Sequence, residues 1–188
     1  SKISFQYFIV ELIVGAGFLL SFHLFKFTVP TLLFFILTIF FVIIFFIDLK
    51  HFIIPNELTF PLMAIGFFKS FDPNLNQYLF PDYINSLIGG VAGYLIIWLI
   101  IFAYKKLRNK EGMGLGDAKL LSALGFWFGW VSIPFILFFS SFVALALAIP
   151  SLLDKSKTMA SQIPFGPYLV LGCLLYLMLF EKIILFLN

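Results

Sequence analysis

Two aspartates carry the strongest chemical signal in this sequence. Asp48 stands in "FFIDLKHFIIPNELTF" (residues 45–60), directly after an apolar run and just ahead of Lys50, His51 and Ile54-Pro55-Asn56. Asp117 stands in "EGMGLGDAKLLSALG" (residues 111–125), after Gly112, Gly114 and Gly116. Two neighbouring carboxyl groups do not both ionise cheaply, so one holds a proton while the other stays charged. The charged member can take a proton from water, the protonated member can donate to a peptide carbonyl, and the water then attacks the amide. Hydrolysis of this kind needs neither metal nor cofactor. The glycines fit an extended peptide, because without a Cβ they permit positive φ and let another backbone come close. Gly114 and Gly116 are therefore candidate substrate-binding positions. Lys119, two residues past Asp117, joins them, either tuning the charge of the acid or snorkelling to water.

Each acid has a plainer explanation as well. Asp117 could cap a helix start, where free backbone N–H groups welcome a carboxylate. Asp48 could be an interfacial residue facing water. The glycine-rich stretch does not read as a phosphate loop: "GMGLGD" has neither the G-x-G-x-x-G nor the G-x-x-x-x-G-K-[ST] spacing, and no strand precedes it. Ser140-Ser141 has no nearby His or Lys to activate a hydroxyl. His23 and His51 lie at the ends of successive apolar runs, hence toward opposite sides of the membrane, and cannot share a metal. Glu11 lies inside the first apolar run, where an ionisable residue is either functional or bonded to a partner. Cys173 reads as a packing residue, and "IPFGPYL" (163–169) as a helix start.

The elements that must position the two acids are membrane helices. Of 188 residues, 62% are hydrophobic and 11% charged, and Phe alone occurs 28 times. Typical soluble domains are ~45–50% apolar and ~25% charged, so the solvent for this chain is lipid. Lys and Arg outnumber the acids by 12 to 9, but they are not gathered on a polar face, and nucleic acid is not expected as a partner. The apolar runs are continuous rather than alternating, which excludes a membrane barrel. They cover residues 5–25, 31–47, 56–68, 83–104, 118–129, 131–153 and 165–187. A span needs ~20 residues, so the third and fifth are short. The expectation is an all-α, polytopic transmembrane helix bundle of about seven spans in a single membrane-embedded domain, 1–188.

Basic residues orient it. With the N-terminus in the cytoplasm, Lys2, Lys50, Lys105, Lys106, Arg108, Lys110, Lys119, Lys155 and Lys157 lie inside, and only Lys26, Lys69 and Lys182 lie outside. Asp48 and Asp117 then share one depth, at the cytoplasmic border. The loop 105–116, basic and glycine-containing, is expected to close over a substrate.

These residues carry a family resemblance. "DLKHFIIP", "GMGLGDAKLLSALG", "PFGPYL" and, near the start, "FQYFIVELIVG" resemble the type IV prepilin peptidases, membrane aspartyl proteases of the Gly-x-Gly-Asp class. The resemblance implies that Asp48 and Asp117 are the catalytic pair, with Gly114 and Gly116 shaping the second motif. It implies as substrates prepilin or pseudopilin precursors, cut on the cytoplasmic side of a bacterial inner membrane between a short basic leader ending in Gly and the hydrophobic helix. Bifunctional members also methylate the new N-terminus and carry an N-terminal span and a segment with paired Cys-x-x-Cys motifs. The sequence is expected to begin where that segment would end, as a processed chain or a short protease-only form, so no S-adenosylmethionine site is assigned. The run near Phe5 has no signal-peptide order and reads as a mature span. Paired acids also occur in proton- or cation-coupled transporters, but those often show two related halves with interrupted helices at the midplane. Here the halves differ, and both acids sit at an edge. A preflagellin-type peptidase would share the chemistry and differ in client.

Overall fold

A computed structural model describes residues 5–76, 79–108, 114–153 and 164–187. Among these the structure is all-helical, with seven α-helices and no strand. They are α1 (Phe5–Phe25), α2 (Val29–His51), α3 (Asn56–Phe68), α4 (Tyr83–Arg108), α5 (Leu115–Phe128), α6 (Ser132–Leu153) and α7 (Gly166–Leu187). A single 3-10 turn, Lys69–Phe71, follows α3. The apolar runs thus locate every helix. Three stretches, Gln6–Phe25, Val29–His51 and Tyr83–Leu107, are long and apolar enough to cross a bilayer, and two shorter apolar stretches, Ser132–Leu147 and Gly166–Phe180, lie in α6 and α7. Helices α3 and α5, with 13 and 14 residues, reach only ~20 Å at 1.5 Å per residue, short of the ~30 Å hydrocarbon core.

Several helix ends lie beyond the apolar runs, and two of them bear on the acids. α2 continues to His51, which puts Asp48 inside its last turn. α5 begins at Leu115, three residues before the apolar run, which puts Asp117 inside its first turn. Gly116 is thus helical despite its poor propensity, because its bare face lies against Ile54 of the α2–α3 connection.

Helix α5 is the centre of the bundle and packs on α3, α4, α6 and α7. Its buried residues run almost continuously from Asp117 to Phe128, the mark of a helix enclosed on all sides. Glycines bring α4 against it: a Cβ on Gly93 would lie 2.6 Å from the Leu121 carbonyl oxygen. Small residues in place of bulky ones allow this backbone approach in membrane helices. The Ser122 hydroxyl donates to the Gly90 carbonyl (2.8 Å) and the Ser86 hydroxyl to the Phe126 carbonyl (2.8 Å). Helix α1 packs on α2, α6 on α7, and α2 on α7. The last of these contacts brings the C-terminal end of α2 to the start of α7.

Candidate functional site

The path from α2 to α3 begins with a reversal. Phe52 adopts left-handed backbone angles (φ 57°, ψ 33°), and its N–H donates to the Asp48 carbonyl at 2.9 Å. A bulky residue in this region is strained, a feature that clusters at functional sites. Pro55 then caps α3 at φ −64° and ψ 145°. Between them Ile54, 9% exposed, turns back into the bundle.

Asp48 is 4% exposed. Its Oδ2 accepts a hydrogen bond from the Gly166 backbone N–H at 3.0 Å. That N–H is one of the free donors at the start of α7, so a carboxylate at the end of α2 acts as a cap for a helix 118 positions away. Asp117 is 7% exposed. It does not sit at the cap position, which Gly114 occupies with no side-chain hydrogen bond. Its carboxyl group lies against the Gly114 amide and within electrostatic reach of Asp48. Neither acid has a cationic neighbour among the described residues. What the two acids do share is the N-terminal ends of α5 and α7, whose free amides and dipoles favour negative charge.

The structure therefore brings Asp48, Asp117 and Gly116 together and adds Gly166 and Ile54. A Cβ on Gly116 would meet Ile54 Cβ at 3.1 Å, while among the described residues a Cβ on Gly114 would find only the Gly116 nitrogen, at 3.8 Å. Gly114 is thus open and Gly116 is covered. Lys119 is not engaged with Asp117: its ammonium donates to Asn56 Oδ1 at 2.6 Å and stands 5.6 Å from the centre of the Phe60 ring. Gly112 and the middle of the loop expected to close over a substrate, residues 109–113, lie outside the described residues, while its ends, 105–108 and 115–116, belong to α4 and α5. Glu11 stands apart from the acids, in an open groove of about 650 Å³ that Gly15, Phe18 and Phe35 also line. The Ser140 hydroxyl donates to its own helix at the Ile136 carbonyl (2.6 Å), and Cys173 is buried.

The sequence "PFGPYL" reads as a helix start. It is one, and it also supplies the donor to Asp48. The available signal was the pair of prolines: Pro164 and Pro167 have no N–H, which leaves few free amides at this helix end, and that of Gly166 is the one that reaches Asp48.

Comparison with known proteins identifies the family. A profile of the type IV leader peptidase family matches residues 35–149, a stretch that holds both aspartates and ends before α7. A prepilin leader peptidase/N-methyltransferase of Aeromonas salmonicida is 40% identical over 130 residues, covering 68% of this chain and 42% of that protein. The proteins of the same name from Xanthomonas campestris pathovar campestris and Escherichia coli K12 are 40% identical over 170 residues and 37% identical over 131. These alignments cover 90% and 70% of this chain, and 58% and 56% of those proteins. The chain thus spans about half the length of the curated relatives it matches. No solved structure matches it. With the profile covering more than half of the chain and enclosing both acidic motifs, the chain belongs to the type IV leader peptidase family.

Proposed function

We propose that this chain is an aspartic endopeptidase that removes the leader from prepilin or pseudopilin precursors at the cytoplasmic border of a bacterial inner membrane, with Asp48 and Asp117 as its acid–base pair. The observation that carries the reading is the convergence of two buried carboxyl groups, from α2 and α5, with no cation beside them among the described residues. A soluble fold avoids such a pair, whereas a hydrolase that activates water needs it. The ionised carboxylate takes a proton from water as the oxygen bonds to the scissile carbonyl carbon. The protonated carboxyl group gives its proton to the carbonyl oxygen, forming a tetrahedral diol. Collapse breaks the C–N bond: the carboxyl group that took the proton from water gives it to the leaving amine nitrogen, and the other, now ionised, takes the proton of one diol hydroxyl as the carbonyl re-forms. No covalent enzyme intermediate forms.

The charge distribution supports the orientation, since nine of the twelve basic residues fall on the side of the aspartates when the N-terminus is inside. The substrate class follows from the family and from the names of the relatives. The proposal covers leader removal only. Incubation of the purified protein with a prepilin precursor in detergent, with intact mass read on both products, tests it. The expected products sum to the precursor mass plus one water. Absence of cleavage by the wild-type protein, or cleavage elsewhere than at the border of the leader and the hydrophobic helix, overturns it. Single cysteines at exposed positions 50 and 107 in a Cys173-free protein should react with an impermeant reagent only from the cytoplasmic side. Labelling from the outer side only would overturn the orientation.

A further inference from the structure

One side chain touches both glycines that border the acids. Ile54 reaches the site from the α2–α3 connection, held on one side by the left-handed Phe52 and on the other by Pro55. Its root lies against Gly116, where an added Cβ would come within 3.1 Å of Ile54 Cβ and 3.5 Å of both Cγ1 and the Ile54 nitrogen. Its tip lies against Gly166, where an added Cβ would come within 2.9 Å of Cδ1 and 2.7 Å of Asp48 Oδ2. Gly116 immediately precedes Asp117, and Gly166 carries the amide that holds Asp48. Ile54 is therefore wedged between the segment bearing one carboxyl group and the segment anchoring the other. Its neighbours on both sides are backbone without side chains, which have no rotamer with which to absorb a change in its shape.

We propose that Ile54 is a positioning residue that sets the separation of the Asp48 and Asp117 carboxyl groups by wedging between Gly116 and Gly166. This rests on the two-carboxylate reading given above. Gly116, expected from the sequence to admit a substrate backbone, admits Ile54 in this structure. The β-branch matters as well: it restricts χ1 and so narrows the directions in which Cδ1 can point. Displacing catalytic groups by ~1 Å can cost ~100-fold in rate, so small changes at this wedge should be felt in the chemical step.

The test is a graded series, Ile54→Val and Ile54→Ala, assayed as purified protein on a prepilin precursor over a range of pH. Ile54→Ala is expected to lower kcat about 10- to 100-fold while KM stays within about twofold. Ile54→Val, which lacks only the Cδ1 that touches Gly166, should lower kcat by about two- to fivefold. The two limbs of the pH–rate profile report the coupled titration of the pair. Their spacing should change in the same order, Ala more than Val. A side chain that only stabilised the fold would lower the melting temperature and leave kcat per folded molecule and the limb spacing unaltered, and that result overturns the proposal. Should Ile54→Ala fail to fold, the Val variant decides alone: an unchanged profile sinks the idea. Asp48→Asn and Asp117→Asn run alongside. If they cleave at the wild-type rate, the two-carboxylate reading itself fails. If they are inactive while both Ile54 variants match wild type, only the positioning role fails.

Discussion

The two ends of α5 handle charge in opposite ways. At the C-terminal end the Lys69 ammonium, 7% exposed, donates to the Trp127 carbonyl at 2.9 Å and lies 4.0 Å from the centre of the Phe80 ring. The Trp127 indole N–H donates in turn to the Leu62 carbonyl at 2.8 Å. Gly129, at φ 79°, ends the helix in a backbone form that suits glycine, and its N–H returns to the Gly125 carbonyl. The cation is matched to a helix C-terminus and an aromatic face, and it joins α3 to α5. At the N-terminal end the cap position is a bare glycine, and two acids stand together with no cation among the described residues to relieve them. Both ends obey the helix dipole. What differs is the company each charge keeps: one end is resolved in favour of the fold, the other is left frustrated, and frustration of this kind collects at sites of chemistry.

The sharpest way to break the comparison is to neutralise each end. Under the proposed mechanism Asp48→Asn and Asp117→Asn each remove one half of the acid–base pair, and cleavage should fall about 1,000-fold. Thermal melting in detergent should hold or rise, because a buried carboxyl group with no cationic partner among the described residues gives way to an uncharged amide of the same shape. A fall in melting temperature typical of a core substitution would mean that the acids hold the fold rather than perform chemistry. At the other end Lys69→Met keeps the stem and deletes the ammonium. It leaves the Trp127 carbonyl unpaired and should cost about 2 kcal/mol of stability, with kcat per folded molecule within about threefold of wild type.

A pH titration sharpens the same contrast more gently. Burial pushes Lys69 down from its ordinary 10.5 to about 7, against the pull of the carbonyl and the ring. The folded state then binds fewer protons at this site than the unfolded state between pH about 7 and 10.5, so its contribution to stability rises with pH across that window. The melting temperature of the wild-type protein should gain on that of Lys69→Met as the pH is raised from 7 to 10. A constant difference between the two would show that the buried ammonium keeps its ordinary affinity for the proton.

The same contrast marks what the sequence makes legible. Helix positions follow from continuous apolar runs, because lipid allows the backbone no alternative to internal hydrogen bonds. The third helix falls at Asn56–Phe68, as the run indicates. The acids were visible because a carboxylate beside Phe and Ile has little other reason to be there. Lys69 was not visible: it counted as one outer positive charge, and nothing local says that its ammonium turns inward to a carbonyl 58 positions away. The donor to Asp48 was hidden for a related reason. A backbone N–H has no residue identity, so the role of Gly166 appears only when α2 and α7 meet. The start of α5 lies three residues ahead of its apolar run, where Ile54 packs on Gly116, a tertiary contact that no local pattern shows.

The smallest expected effect separates the two glycines of the second motif. Gly114 has extended backbone angles (φ −85°, ψ 152°) that any residue adopts, and among the described residues no atom comes nearer than 3.8 Å to the place of a Cβ. Gly116 would carry its Cβ into Ile54. Gly114→Ala should therefore change stability by less than about 1 kcal/mol, the scale of replacing glycine by alanine at a cap. Gly116→Ala requires the α2–α3 connection to give way and should melt several degrees lower. Activity tells which glycine a substrate uses. If an extended peptide lies along the open side of α5, Gly114→Ala raises KM about three- to tenfold at unchanged melting temperature, because the new methyl group stands where the peptide backbone would pass. If KM is unmoved, the open face beside Gly114 is not the path of the substrate, and the glycine there does no more than start the helix.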